Sequence, residues 1–163
     1  MKFPLPQPVL QAIDDDLWIL KEKYEIEFYV GRRLYKLISA PGATTDGLSK
    51  PLCLRMIPLL GFWLGYKLAP RELPAGWAHD QIYEAELLPR KECDTAFLWL
   101  LWKNIVWFVR RRLYYRAVRV GGGETWDRHT PRTIAASRNY NNLYKWKSGQ
   151  WIEVEPPARN INN

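Results

Sequence analysis

Two short stretches hold the residue types that general acid–base chemistry needs. They are His79-Asp80-x-x-Tyr83 and Arg90-x-x-x-Asp94-x-x-Phe97. On a helix, His79 and Tyr83 are four apart and share a face, while Asp80 is turned away by about 100°. Arg90 and Asp94 repeat the four-residue spacing. Pro89 sits in the short link between them, so the two helices are expected to be antiparallel neighbours, with Asp94 facing His79. A carboxylate on one imidazole nitrogen fixes the tautomer and leaves the other nitrogen free to deprotonate a water. Asp80 beside that base suits a hard cation such as calcium, bound through oxygen. Asp46, in the polar loop Thr44-Thr45-Asp46-Gly47-Leu48-Ser49-Lys50-Pro51, would be a second oxygen ligand. Read as chemistry, the site is His79, Asp94 and Tyr83 as the catalytic group and Asp80 and Asp46 as the metal ligands.

The same residues have a structural reading. His79 bonded to Asp94 locks two helices together, and Asp94 can pair with Arg90 within its own helix. Asp46-Gly47 fits an ordinary turn. Ser49 fits a helix N-cap and has no evident base beside it. Cys53 and Cys93 are expected to be buried, and His129 to face solvent. Two Cys and two His without close spacing argue against zinc. Gly121-Gly122-Gly123 is not a phosphate loop, since no Lys-Ser/Thr follows it.

The elements that position these residues are legible in outline. Residues 1–10 are proline-rich and expected to be extended. Tyr24, Ile26 and Phe28 alternate with Lys23, Glu25 and Glu27, the two-residue period of a half-buried strand. Gly31-Arg32-Arg33 reads as a turn and Leu34 to Ile38 as a further strand. Residues 52–70 are apolar but interrupted by Arg55, Pro58 and Lys67, which suggests short helical turns. A helix is expected from Ala75 to Leu88, opened by Pro74. A long one follows from Arg90 towards Val118, stopped by the three glycines. Its core face would be Phe97, Leu98, Leu101, Ile105 and Phe108. Tyr144 to Lys147 and Gln150 to Val154 can pair across Ser148-Gly149. The fold class is therefore α+β: a small N-terminal antiparallel sheet packed on two or three helices, with an extended C-terminal arm. Residues 1–123 form one domain in this reading, and residues 124–163 form the arm. Tyr140, Tyr144, Trp146 and Trp151 are its docking residues.

Composition narrows the class. The chain has 163 residues, 47 % of them hydrophobic and 14 % aromatic, enough apolar material for a real core and too much for a disordered chain. Two Cys exclude a disulfide scaffold. No apolar run is long enough for a membrane-spanning helix. The N-terminal MKFPLPQPVL does not read as a signal peptide, so a reducing cytosol is the expected site of synthesis. Lys and Arg number 24 and Asp and Glu 17, a net +7, and the whole excess falls after residue 90. Lys103, Arg110, Arg111, Arg112, Arg116 and Arg119 lie in a stretch without any acid. One-sided basic charge points to an anionic partner, whether nucleic acid, anionic lipid or an acidic protein surface; it also fits a solvated helix face. Trp99, Trp102 and Trp107 beside these cations fit a membrane interface or core packing, and their spacing favours packing.

The order T-D-G-x-S-x-P (Thr45 to Pro51), H-D-x-x-Y (His79 to Tyr83), R-x-x-x-D (Arg90 to Asp94) resembles an uncharacterised phage and prophage family, domain of unknown function 1353. The resemblance covers roughly residues 16–120. It implies phage or prophage origin and an α+β fold, and it carries no established activity. The helix pair alone resembles the catalytic helices of secreted phospholipases A2. That likeness implies His79 as general base, Asp80 as calcium carboxylate, and Tyr83 and Asp94 as the groups orienting the histidine. The chain departs from those enzymes in lacking the Y-x-G-x-G calcium loop and the bracing disulfides, and in its short interhelical link. Two functions are therefore expected. One is a virion component of a phage tail or tail tip, made in the host cytoplasm and bound to other phage structural proteins partly through its arm. The other is a metal-assisted, phospholipase-like hydrolase acting on the host envelope.

Overall fold

The computed structural model describes residues 4–15, 17–45 and 69–157. It is α+β, with two small antiparallel sheets and, among the described residues, four helices. One sheet joins β1 (Leu10–Ala12), β2 (Trp18–Leu20) and β5 (Thr44–Thr45) in that order. The other has the order β3-β4-β6-β7, from β3 (Tyr24–Val30), β4 (Arg33–Ser39), β6 (Asn141–Lys147) and β7 (Gln150–Glu153). The helices are α1 (Leu73–Glu84), α2 (Arg90–Lys103), α3 (Phe108–Asp127) and α4 (Pro131–Arg138).

β3 shows why the sheet forms. Tyr24, Ile26, Phe28 and Val30 are buried, and the residues between them face solvent, so one side of the strand is apolar throughout. It pairs with β4 from Tyr24↔Ser39 to Val30↔Arg33 around a tight turn at Gly31. β4 then takes β6 as its other neighbour, from Tyr35↔Lys145 to Ser39↔Asn141. β6 and β7 form a hairpin across Ser148 and Gly149, both at positive φ (51° and 86°). That pair of angles is the two-residue turn whose twist matches antiparallel strands. The helix α2 packs on β3, and α1 reaches β4, β5 and β6. Trp77, Ile82, Leu100, Leu101, Phe28, Leu37 and Leu143 fill the space between, all essentially without solvent contact.

Several expectations are corrected. The segment from Arg90 to Val118 is two helices. The backbone breaks at Asn104 to Trp107, where Ile105 adopts φ 60°, and Ile105 and Phe108 are exposed rather than on a core face. The buried face of α2 is Cys93, Ala96, Phe97, Leu100 and Leu101. The three glycines do not stop a helix: α3 runs through them to Asp127. It therefore crosses residue 123, and β6, beyond it, is in hydrogen-bonded register with β4. The helix α4 was not anticipated, although Thr130-Pro131-x-Thr133 carries its signal. Thr130 and Thr133 form reciprocal cap hydrogen bonds, with Pro131 in the first turn, where its missing N–H costs nothing. His129 is not in solvent either: its Nδ1 lies 3.2 Å from Oε1 of the buried Glu86. The residues read as short helical turns, 52–68, and with them Cys53, lie outside the described residues, as do Asp46 and Ser49.

Candidate functional site

His79 and Asp94 meet. The five-residue link after Glu84 turns the chain back, and α1 and α2 lie side by side. Arg138 of α4 holds that link from outside, its Nε donating to the Ala85 carbonyl at 2.8 Å. Across the helix pair, His79 Nε2 is 3.0 Å from Asp94 Oδ1. The other imidazole nitrogen, Nδ1, faces Asp80 Oδ1 at 3.6 Å, an ion-pair distance. Asp80 Oδ2 accepts a hydrogen bond from the Thr45 hydroxyl at 2.7 Å. The second oxygen of Asp94 accepts from Arg119 Nη1 on α3, also at 2.7 Å. Thr45, Asp80, His79, Asp94 and Arg119 thus form one continuous polar chain, to which all three sequence motifs contribute. Its surroundings are apolar and aromatic: the His79 ring lies 5.0 Å from that of Phe97 and 5.2 Å from that of Tyr83.

The protonation state follows from this geometry. Asp94 has no solvent contact and His79 is 8 % exposed. Burial by itself would push the imidazole down. The two flanking carboxylates outweigh it and raise His79 to about 9. Burial would likewise raise Asp94, but the bonds from His79 and Arg119 win and hold it below the usual carboxylate range. At neutral pH the centre is an imidazolium between two carboxylates, with a guanidinium closing the far side. An imidazolium has no lone pair with which to take a proton from water.

Tyr83 and Arg90 serve the same assembly. Tyr83 donates its hydroxyl to the Gly122 carbonyl, and burial pushes its phenol up to about 12, so it stays a neutral donor. Arg90 does not pair with Asp94. Its Nη2 donates to the Arg119 carbonyl at 2.6 Å. Both side chains therefore grip α3 near the turn that carries Arg119. This explains glycines inside a helix, where each costs about 1 kcal/mol against Ala. A Cβ on Gly122 would sit 3.0 Å from the Tyr83 hydroxyl, and one on Gly123 would sit 3.3 Å from Arg90 Nη1. Gly122→Val is accordingly expected to lower stability by about 1–3 kcal/mol, although it removes a helix-interior glycine. Urea unfolding measures this, and a gain in stability would mean that Tyr83 does not seat against α3.

The metal reading finds little support in the described residues. One Asp80 oxygen is taken by Thr45 and the other faces a cationic ring, which opposes a second cation. No three His, Cys, Asp or Glu side chains converge as ligands among the described residues. Asp46 lies outside them.

The six cations separate into two groups. Arg110 and Arg119 turn inward: Arg110 Nε is 2.5 Å from Oε1 of the buried Glu72, and Arg119 holds Asp94. Lys103, Arg112 and Arg116 are exposed and Arg111 is half-buried, and none of the four forms an ion pair among the described residues. The roles of Arg119 and Thr45 were not read from the sequence. One signal was present for Arg119: a buried carboxylate has two oxygens to satisfy, a single histidine meets one, and the nearest cations down the chain lie in the acid-free stretch.

The residues expected to dock the C-terminal segment lie along the β6–β7 hairpin and its entry. The Tyr140 ring covers Gly42, and Tyr144 is half-buried within β6. Trp146 and Trp151 are cross-strand partners with ring centres 5.1 Å apart, and Lys36 lies over Trp151 at 4.3 Å. No described helix is long and apolar enough to cross a membrane. Compared with protein-family models, with curated proteins and with solved structures, the sequence matches none.

Proposed function

We propose that the protein is a structural component of a phage particle, in the tail or its tip, that binds a neighbouring subunit through its C-terminal hairpin. The observation that carries this reading is the far end of that hairpin. β6 pairs with β4 only as far as Lys145. Trp146, beyond it, and Ile152, opposite Lys145 on β7, are exposed, and the outer edge of β7 carries no strand among the described residues. A strand edge beside exposed apolar side chains is what strand addition by a partner requires. The phage assignment itself rests on the three-motif resemblance. The clasp supports a structural role, because it spends both His79 nitrogens on carboxylates.

Mass spectrometry of purified particles should find the protein. A variant with Trp146→Ser and Ile152→Ser should fold normally yet be missing from them. Particles without the wild-type protein, or equal incorporation of the variant, would sink the reading. The hydrolase remains the second reading, because Asp94 sits on Nε2, as an orienting carboxylate would. Fatty-acid release from anionic vesicles that needs both His79 and calcium, judged against His79→Gln and chelator, would move the assignment there.

A further inference from the structure

The turn between α2 and α3 exposes what a folded protein usually buries. Five of the eight residues from 102 to 109 are large apolar side chains at the surface: Trp102, Ile105, Trp107, Phe108 and Val109. Ile105 and Trp107 are 64 % and 61 % exposed. The turn that displays them is held from inside. Asn104 is fully buried, accepting from the Leu5 amide at 3.1 Å and donating to the Arg71 carbonyl at 2.8 Å, and Val106 points into the core. Ile105 stands at positive φ, a conformation that β-branched residues rarely adopt. An apolar side chain that is strained and outward-facing on an anchored turn points to something that receives it.

The charge around the turn identifies the receiver. Lys103, Arg111, Arg112 and Arg116 flank it, and residues 95–123 contain no acid. The Arg111 and Arg112 guanidinium groups lie 5.4 and 5.3 Å from the centre of the Phe108 ring, which keeps positive charge level with the apolar tip. Phe108, Val109 and Leu113 line an open groove of about 300 Å³ along α3 with Arg112 and Arg116. Aromatic and aliphatic side chains at the centre with cations around them match the layering of an anionic bilayer surface, acyl boundary below and phosphates above. Nucleic acid would use the cations and stack on the aromatics, but it has no counterpart for Ile105 and Val109.

We propose that this turn docks the protein onto an anionic membrane, a role that goes beyond the particle reading. Ile105, Trp107 and Phe108 enter the headgroup–acyl boundary, and Arg111, Arg112 and Arg116 meet lipid phosphates. Flotation with phosphatidylethanolamine vesicles containing phosphatidylglycerol tests it, against neutral phosphatidylcholine vesicles. Wild type should float with the anionic vesicles and release as salt rises. Ile105→Gly with Phe108→Ser should bind about tenfold less or weaker still; the glycine relieves the backbone and so does not threaten folding. Arg111→Gln with Arg112→Gln should lose about fivefold per cation. No flotation by folded wild type would overturn the proposal, as would equal binding by the apolar variant. Preferential binding to a short DNA duplex, unchanged in the apolar variant, would replace it with a nucleic-acid surface.

Discussion

Replacing Asp94 with Ala is expected to destabilise the protein by about 3–5 kcal/mol, the cost of stranding a buried charge. Asp94 has no solvent contact and answers two cations, His79 at 3.0 Å and Arg119 at 2.7 Å. Removing it leaves the imidazolium with only the more distant Asp80. Arg119 suffers less, since its side chain is 36 % exposed and can turn to water. The loss should therefore be shared mainly with His79, and a double-mutant cycle separates the two. Adding His79→Leu to Asp94→Ala is expected to recover part of the stability, because no buried imidazolium then remains. In a chain of this size the single variant should melt roughly 10 °C lower. A loss under about 1 kcal/mol, in the range of exposed ion pairs, would show that the clasp is not a buried charged centre.

The second large effect is a fall in stability with alkali. His79 is raised from 6.5 to about 9 by its two carboxylates, against the effect of burial. Its folded value thus exceeds its unfolded value. Its contribution is fully present below pH 6.5 and is lost as pH rises through about 9. The difference corresponds to about 3 kcal/mol. Above about pH 9 the buried Cys93 thiol and the buried phenols add a loss of their own, because burial raises them and they ionise on unfolding. Thermal unfolding from pH 6 to 8.5, below the range in which Cys93 and the phenols ionise, should show the decline in wild type and a flat profile in His79→Gln. The same slope in both proteins would mean that His79 is neutral in the folded state, and would return the imidazole to the general-base reading. Asp94 works in the opposite direction. Its carboxyl is held below the usual range, so its contribution is present above the ordinary carboxylate value and disappears only as acid reaches the lower folded one.

These expectations separate what is written locally from what is not. β3 was readable because alternation along seven residues depends only on the pleat and on one side being buried. The Ser148-Gly149 turn was readable because few residue pairs tolerate two positive φ angles. The facing of His79 and Asp94 followed from four-residue spacing and a short link, both properties of the chain within sixteen positions.

Tertiary structure decided the rest. The apolar period from Phe97 to Phe108 continues through Ile105, yet the helix ends at Lys103. Buried Asn104 satisfies the Leu5 amide and the Arg71 carbonyl, partners far away in the sequence. Gly122 and Gly123, helix breakers by propensity, became helix interior because Tyr83 and Arg90 occupy the space that side chains would fill. Arg119 read as surface charge until the packing of α3 on α2 brought it to Asp94. The physical reason is the same in each case. Period, turn chemistry and helix spacing act over a few residues and are carried by those residues alone. The partner of a buried polar group is whichever group the packing brings within reach, and only the assembled helices and sheets determine that.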